Sequence, residues 1–139
     1  MINVLIADRN VKDLFYLENV FSELSEGEIQ TEMCKEEDSL YTKLNENFDI
    51  LLLRFNFFDN DSYSINTFIK EILSKHPELN IIVSDNQFNS TKYFNLYASG
   101  VYACINLNKI DFKKDLADAI KEIKKKQIFS KYESSLVRN

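Results

Sequence analysis

Short apolar runs alternate along the chain with longer segments whose apolar residues recur every three or four positions. Ile2-Asn-Val-Leu-Ile-Ala7 ends at Asp8, which predicts a buried strand with an acid at its carboxyl end. Asn10 is placed to cap a helix, and from Val11 the residues Leu14, Leu17, Val20, Phe21 and Leu24 share one face until Gly27 breaks it. Ile29 to Cys34 alternates weakly, as an outer strand does. Lys35 to Leu44 carries its acids early and places Leu40 and Leu44 four apart, as a short helix would. Ile50 to Leu53 is too short for a buried helix and reads as a strand covered on both faces, with Arg54 where it ends.

The loop Phe55-Asn-Phe-Phe-Asp-Asn-Asp61 mixes aromatics with acids and amides. It leads into a helix bearing Ile65, Phe68, Ile69, Ile72 and Leu73 on one side, ended by Pro77. Leu79 to Ser84 predicts a fourth strand followed by Asp85, and Tyr93, Phe94, Tyr97 and Ala98 predict a short amphipathic helix stopped by Gly100. Tyr102 to Ile105 is a fifth strand. After Asp111, a good N-cap, Phe112, Leu116, Ala119, Ile120 and Ile123 repeat at helical spacing, and Lys124, Lys125 and Lys126 fall where the helix dipole favours cations. Five strands alternating with helices need right-handed crossovers, which put helices on both faces of a parallel sheet. The fold class is therefore α/β, a flavodoxin-like (βα)5 three-layer sandwich. In such sheets ligands gather beyond the carboxyl ends of the strands, which directs attention to Asp8, Arg54 and Asp85.

A chain of 139 residues is the size of one domain. No apolar run approaches the ~18–20 residues that span a bilayer, and the first apolar run is followed at once by Asp8-Arg9, unlike a signal peptide. A cytoplasmic protein without membrane contact is expected. Cys34 and Cys104 are too few for a metal-ligand spacing and read as buried reduced thiols. The formal net charge of −5 argues against direct nucleic-acid binding. That charge is uneven: residues 1–108 carry 8 Lys+Arg against 17 Asp+Glu, and residues 109–139 carry 9 against 5, an asymmetry that a solvated helix face explains. Gly27 and Gly100 are the only glycines, so a Gly-rich phosphate cradle is absent, and no catalytic triad or metal cluster is visible. His76, the only histidine, precedes Pro77 at a helix end, a place that accounts for it without catalysis. An enzyme is not expected, and neither a cofactor nor a metal.

Four blocks, Val4-Leu-Ile-Ala-Asp8, Phe48-Asp-Ile-Leu-Leu-Leu53, His76-Pro-Glu-Leu-Asn-Ile-Ile-Val83 and Ala98-Ser-Gly-Val-Tyr-Ala-Cys-Ile105, together resemble the response-regulator receiver domain over about residues 2–126. The resemblance implies a five-stranded parallel sheet in the order 2-1-3-4-5. Receivers usually show paired acids after the first strand, a phospho-accepting Asp after the third, Ser or Thr after the fourth and Lys after the fifth. Here Asp8 keeps the first acid, Arg9 replaces the second, Arg54 stands at the acceptor position, Asp85 at the Ser/Thr position and Leu107 at the Lys position. Ser84 takes the Ser/Thr position under a one-residue slip, and Lys109 lies close to the Lys position. A guanidinium can be neither a phosphoryl acceptor nor a ligand for a hard cation.

These substitutions predict a degenerate pocket in which Arg54 and Arg9 pair with Asp8 and Asp85, with Arg54 held by Asp8 or Asp85 as a fixed ion pair. Phosphate or another small anion is a rival use of two guanidiniums, made less attractive by nearby Asp59 and Asp61. Residues 1–126 form the receiver-like domain and residues 127–139 a linker or tail, the latter resembling the segment after the receiver in LuxR/NarL-type regulators. The reading that follows is an atypical, phosphorylation-independent receiver in two-component signal transduction. It regulates transcription through an attached DNA-binding domain absent from this chain, so DNA is a partner only through that domain. The alternative is a stand-alone protein-interaction adaptor whose partner is a sensor kinase or another regulator. Receivers commonly form homodimers through the fourth helix, fifth strand and fifth helix. By resemblance that face carries Tyr93, Tyr97, Lys109, Lys113, Asp115, Asp118, Lys121 and Glu122.

Overall fold

A computed structural model describes residues 1–25, 27–58 and 64–137; Asp59 and Asp61 lie outside the described residues. Five strands, β1 (Ile2–Ala7), β2 (Ile29–Cys34), β3 (Ile50–Arg54), β4 (Asn80–Asp85) and β5 (Ala103–Asn106), alternate with five helices. These are α1 (Val11–Ser25), α2 (Glu37–Lys43), α3 (Ile65–Lys75), α4 (Ser90–Ser99) and α5 (Phe112–Val137). The strands form one parallel sheet in the order β2-β1-β3-β4-β5, as expected. β3 is central and buried at every position. Leu51, Leu52 and Leu53 are each at most 1% exposed, and burying each such side chain contributes about 1.5–3 kcal/mol.

Alternation along the strands divides the core in two. Leu5, Ala7, Leu51, Leu53, Ile81 and Val83 face a cluster with residues of α2, α3 and α4, whereas Val4, Ile6, Ile50, Leu52 and Ile82 face α1 and α5. This parity fixes which side of the sheet each polar residue at the strand ends can reach.

The helix boundaries follow local chemistry. Asn10 accepts from the backbone N–H groups of Lys12 (3.0 Å) and Asp13 (3.2 Å) at the start of α1. Ser64 caps α3 through Asn66 N, and Asn89 caps α4 through Lys92 N. Gly100 ends α4 at φ 108°, where a side chain would be strained.

Two elements differ from the sequence pattern. In α4 the core-facing residues are Leu96 and Ser99, while Phe94 and Tyr97 are 72% and 49% exposed. Leu96 packs in the α3 side of the core, and Ser99 Oγ hydrogen-bonds Asn66 Oδ1 of α3 at 2.9 Å. Phe94 and Tyr97 therefore lie on the outer face, because Leu96 and the hydrogen-bonded Ser99 occupy the side of α4 that meets α3. The helix α5 also runs without a break past residue 126 to Val137. Gln127 donates to Asp49 Oδ1 and Lys126 to Asn80 Oδ1, both at 2.8 Å, so polar side chains hold the extension against the starts of β3 and β4 where apolar spacing has stopped.

Candidate functional site at the carboxyl edge of the sheet

Asp8 follows β1, Arg54 ends β3 and Ser84 is the last but one residue of β4; they are 4%, 7% and 1% exposed. Ala7 pairs with Leu53 and Arg54 with Ser84 in the strand register, so the three residues form a row across the sheet. By strand parity their side chains lie on the face of α1 and α5. Arg54 Nη1 sits 3.4 Å from Asp8 Oδ2 and 3.6 Å from Asp13 Oδ2, the latter in the first turn of α1. Asp8 Oδ1 also accepts from Asn10 N at 3.0 Å. Burial pushes the Asp8 carboxyl above its ordinary value, the Asn10 N–H and the Arg54 guanidinium offset part of this, and Asp13 adds to it. Of the two acids expected to hold Arg54, Asp8 does so.

Asp85 does not. It is one residue beyond Ser84 and so belongs to the opposite face, where the Lys92 ammonium of α4 pairs with its Oδ2 and also donates to Gln87 O at 2.9 Å. Lys92 lies 3.9 Å from the Phe55 ring centroid and 5.2 Å from that of Phe88. Arg9 departs from the expected pairing for the same reason. Next to Asp8, it turns to the other side of the sheet, where Nη2 is 3.6 Å from Glu37 of α2 and Nε donates to Phe57 O. The two faces thus carry separate charge groups: Asp8, Asp13 and Arg54 on one, and Arg9 with Glu37 and Asp85 with Lys92 on the other.

Leu107 packs against the α1 and α5 side of the core, and its N–H bonds Asp85 O at 2.8 Å. The loop aromatics pack inward: Phe57 is fully buried, Phe58 meets Phe57 and Phe68 at ring separations of 5.3 and 4.7 Å, and Phe55 lies under Lys92. Among the described residues, no group of three or more His, Cys, Asp or Glu could hold a metal ion, and no helix is long and apolar enough to cross a membrane. The sequence reading missed Asp13 and Lys92 as partners. Both stand in first helical turns opening beside the strand ends, a signal visible once the helices are placed.

Of the residues assigned to a dimer face, Tyr93 and Tyr97 stack at 6.5 Å along α4, and Tyr97 Oη accepts from Cys104 N at 3.3 Å. Lys109 pairs with Asp115 at 3.3 Å, and Glu122 accepts from Tyr102 Oη at 3.0 Å. Asp118 and Lys121 are exposed. Lys113 turns instead toward α1, 3.4 Å from Glu23 and 5.9 Å from the Tyr16 ring centroid, because its place on α5 faces that neighbour.

No family model matches the sequence, and no curated protein matches it. Solved structures do match in fold. RcsB from Salmonella typhimurium superposes with a TM-score of 0.77 at 20% identity, over 90% of this chain and 62% of that one. A CheY-like response regulator receiver domain protein from Methanospirillum hungatei JF-1 gives 0.75 at 18% identity, over 91% and 97%. A proposed pilus assembly protein from Burkholderia thailandensis E264 gives 0.73 at 19%, over 90% and 99%. The fold is that of the receiver domains. Within the receiver fold, Arg54 closes the central strand at the position that the resemblance gives to the phospho-acceptor.

Proposed function

We propose that this chain is an atypical receiver domain that transmits signals without phosphorylation. The observation that carries this reading is the buried Arg54–Asp8 pair at the end of the central strand. A carboxylate there would offer a nucleophilic oxygen, whereas the guanidinium offers only donors and is itself neutralised by an acid that a hard cation would need. The protein acts in the cytoplasm through association with other proteins and regulates transcription through an attached DNA-binding domain. Support for that last element comes from likeness. RcsB from Salmonella enterica serovar Typhimurium has been solved bound to promoter rprA, and this chain covers 67% of that chain.

Incubation with Mg²⁺ and a small-molecule phosphodonor, followed by mass spectrometry, is expected to give no acid-labile phospho-adduct. A stoichiometric adduct overturns the reading. Restoring Arg54→Asp alone is expected to leave the chain inactive, since Arg9 still replaces the second acid.

The alternative is a stand-alone interaction adaptor, for which the exposed Phe94 and Tyr97 on α4 supply apolar contact surface. Both readings use the α4–β5–α5 face, with Tyr93, Tyr97, Lys109, Asp115, Asp118, Lys121 and Glu122 as a homodimer surface whose mixed charges suit pairing across a two-fold axis. Sedimentation at high concentration and low salt tests it, a strict monomer counting against the homodimer. The reading frame beyond Asn139 separates the two functions.

A further inference from the structure

Two buried polar atoms in the row across the strand ends have no protein partner among the described residues: Arg54 Nε and Ser84 Oγ. Both belong to side chains more than nine-tenths buried. Strand register sets the two residues side by side on β3 and β4, with side chains on the same face. A buried N–H donor and a buried hydroxyl left unsatisfied are each costly, and native interiors rarely retain such groups.

The surrounding charges decide what can satisfy them. Arg54 faces Asp8 at 3.4 Å and Asp13 at 3.6 Å, so one guanidinium already meets two carboxylates. A further anion would add repulsion from both acids, and a cation would meet the guanidinium. The guest must be neutral, small enough for the interior beside β3, able to accept from Nε–H and able to exchange a hydrogen bond with a hydroxyl.

We propose that Arg54 Nε and Ser84 Oγ form a binding site for a single buried water molecule that bridges the ends of β3 and β4. Nε–H donates to the water oxygen, and the water and the Ser84 hydroxyl share the second bond, the hydroxyl rotating to suit. Two polar partners meet the minimum for a buried water. The bridge extends the Asp8–Arg54 contact into a polar chain across three adjacent strands, from β1 through β3 to β4. It also gives Ser84 a role that requires neither phosphoryl group nor metal.

A high-resolution crystal structure is expected to show an ordered water within hydrogen-bonding reach of both atoms. Density with Nε bonded directly to Oγ, or a dry gap between them, overturns the proposal. In solution, ¹⁵N-labelled protein is expected to show a cross-peak between water and the Arg54 side-chain Nε–H that disappears in Ser84→Val, whose second methyl occupies the place of the hydroxyl. Persistence of the cross-peak in a folded Ser84→Val variant counts against the bridge. Should that variant not fold, Ser84→Ala read in the crystal substitutes for it: a water that stays on Nε with unchanged occupancy shows that Ser84 is no part of the site, and its loss or displacement supports the bridge. Titration of the wild-type protein with inorganic phosphate separates the neutral guest from an oxyanion. No shift of the Arg54 Nε–H resonance is expected at millimolar phosphate, and a saturable shift overturns the assignment.

Discussion

Replacing Arg54 by methionine removes the guanidinium while keeping most of the volume of its stem. Asp8, 4% exposed, then loses its only cationic partner among the described residues and keeps one backbone donor, Asn10 N. Breaking a buried ion pair from one side costs about 3–5 kcal/mol. The Arg54–Asp8 contact is a single one at 3.4 Å, not a bidentate fork, which puts the expected loss at the lower end, about 3 kcal/mol. For a domain of this size that is a fall in Tm of roughly 10 °C. The loss should depend on pH, and its sign follows from the Asp8 carboxyl, already held above its ordinary value of 3.8 by burial. Losing the guanidinium raises it further. A carboxylate whose folded value exceeds its unfolded one favours the folded state fully below the unfolded value and loses that contribution as pH rises through the folded value. The deficit of Arg54→Met should therefore be larger at pH 7 than at pH 5. Urea unfolding followed by circular dichroism at both values measures it. Adding Asp8→Asn to Arg54→Met should recover at least half of the loss, since no charge then remains buried. A change below about 1 kcal/mol at pH 7, or no recovery in the double variant, would refute the view that this pair is held buried and mutually dependent.

Gly100→Ala should destabilise the domain by about 1–3 kcal/mol in thermal unfolding, because φ is 108° and the added Cβ would lie 2.7 Å from Leu73 Cδ1. Cys104, pushed up to about 11 chiefly by burial, and Cys34, raised for the same reason, should react slowly with a thiol reagent at pH 8 in the folded protein and fast in urea. Gln127→Ala should speed amide exchange along residues 127–133 several-fold while moving Tm by less than about 2 °C, since it cuts a tether of α5 and touches no core residue.

The sequence by itself determined the element order and the buried status of β3. Apolar runs of four to six residues and stripes at three- and four-residue spacing depend only on burial and helix geometry, which are local consequences of residue order. It also placed Arg54 at the mouth of the central strand and named Asp8 or Asp85 as its partner, because the acids at the ends of β1 and β4 flank β3, but it did not find Asp13, which α1 brings to the same guanidinium. The choice between Asp8 and Asp85 required the register. Asp8, Arg54 and Ser84 share a parity in the assembled sheet, and Asp85 and Arg9 take the other, so a one-residue offset sends them to Lys92 and Glu37 on the opposite face. The outward turn of Phe94 and Tyr97 was likewise settled by packing, since Leu96 in the core and the Ser99–Asn66 hydrogen bond set which side of α4 meets α3. The continuation of α5 past Lys126 rests on polar contacts to Asp49 and Asn80, residues 78 and 46 positions away in the sequence. Contacts at that separation leave no periodic trace in the chain, and only the folded structure brings them together.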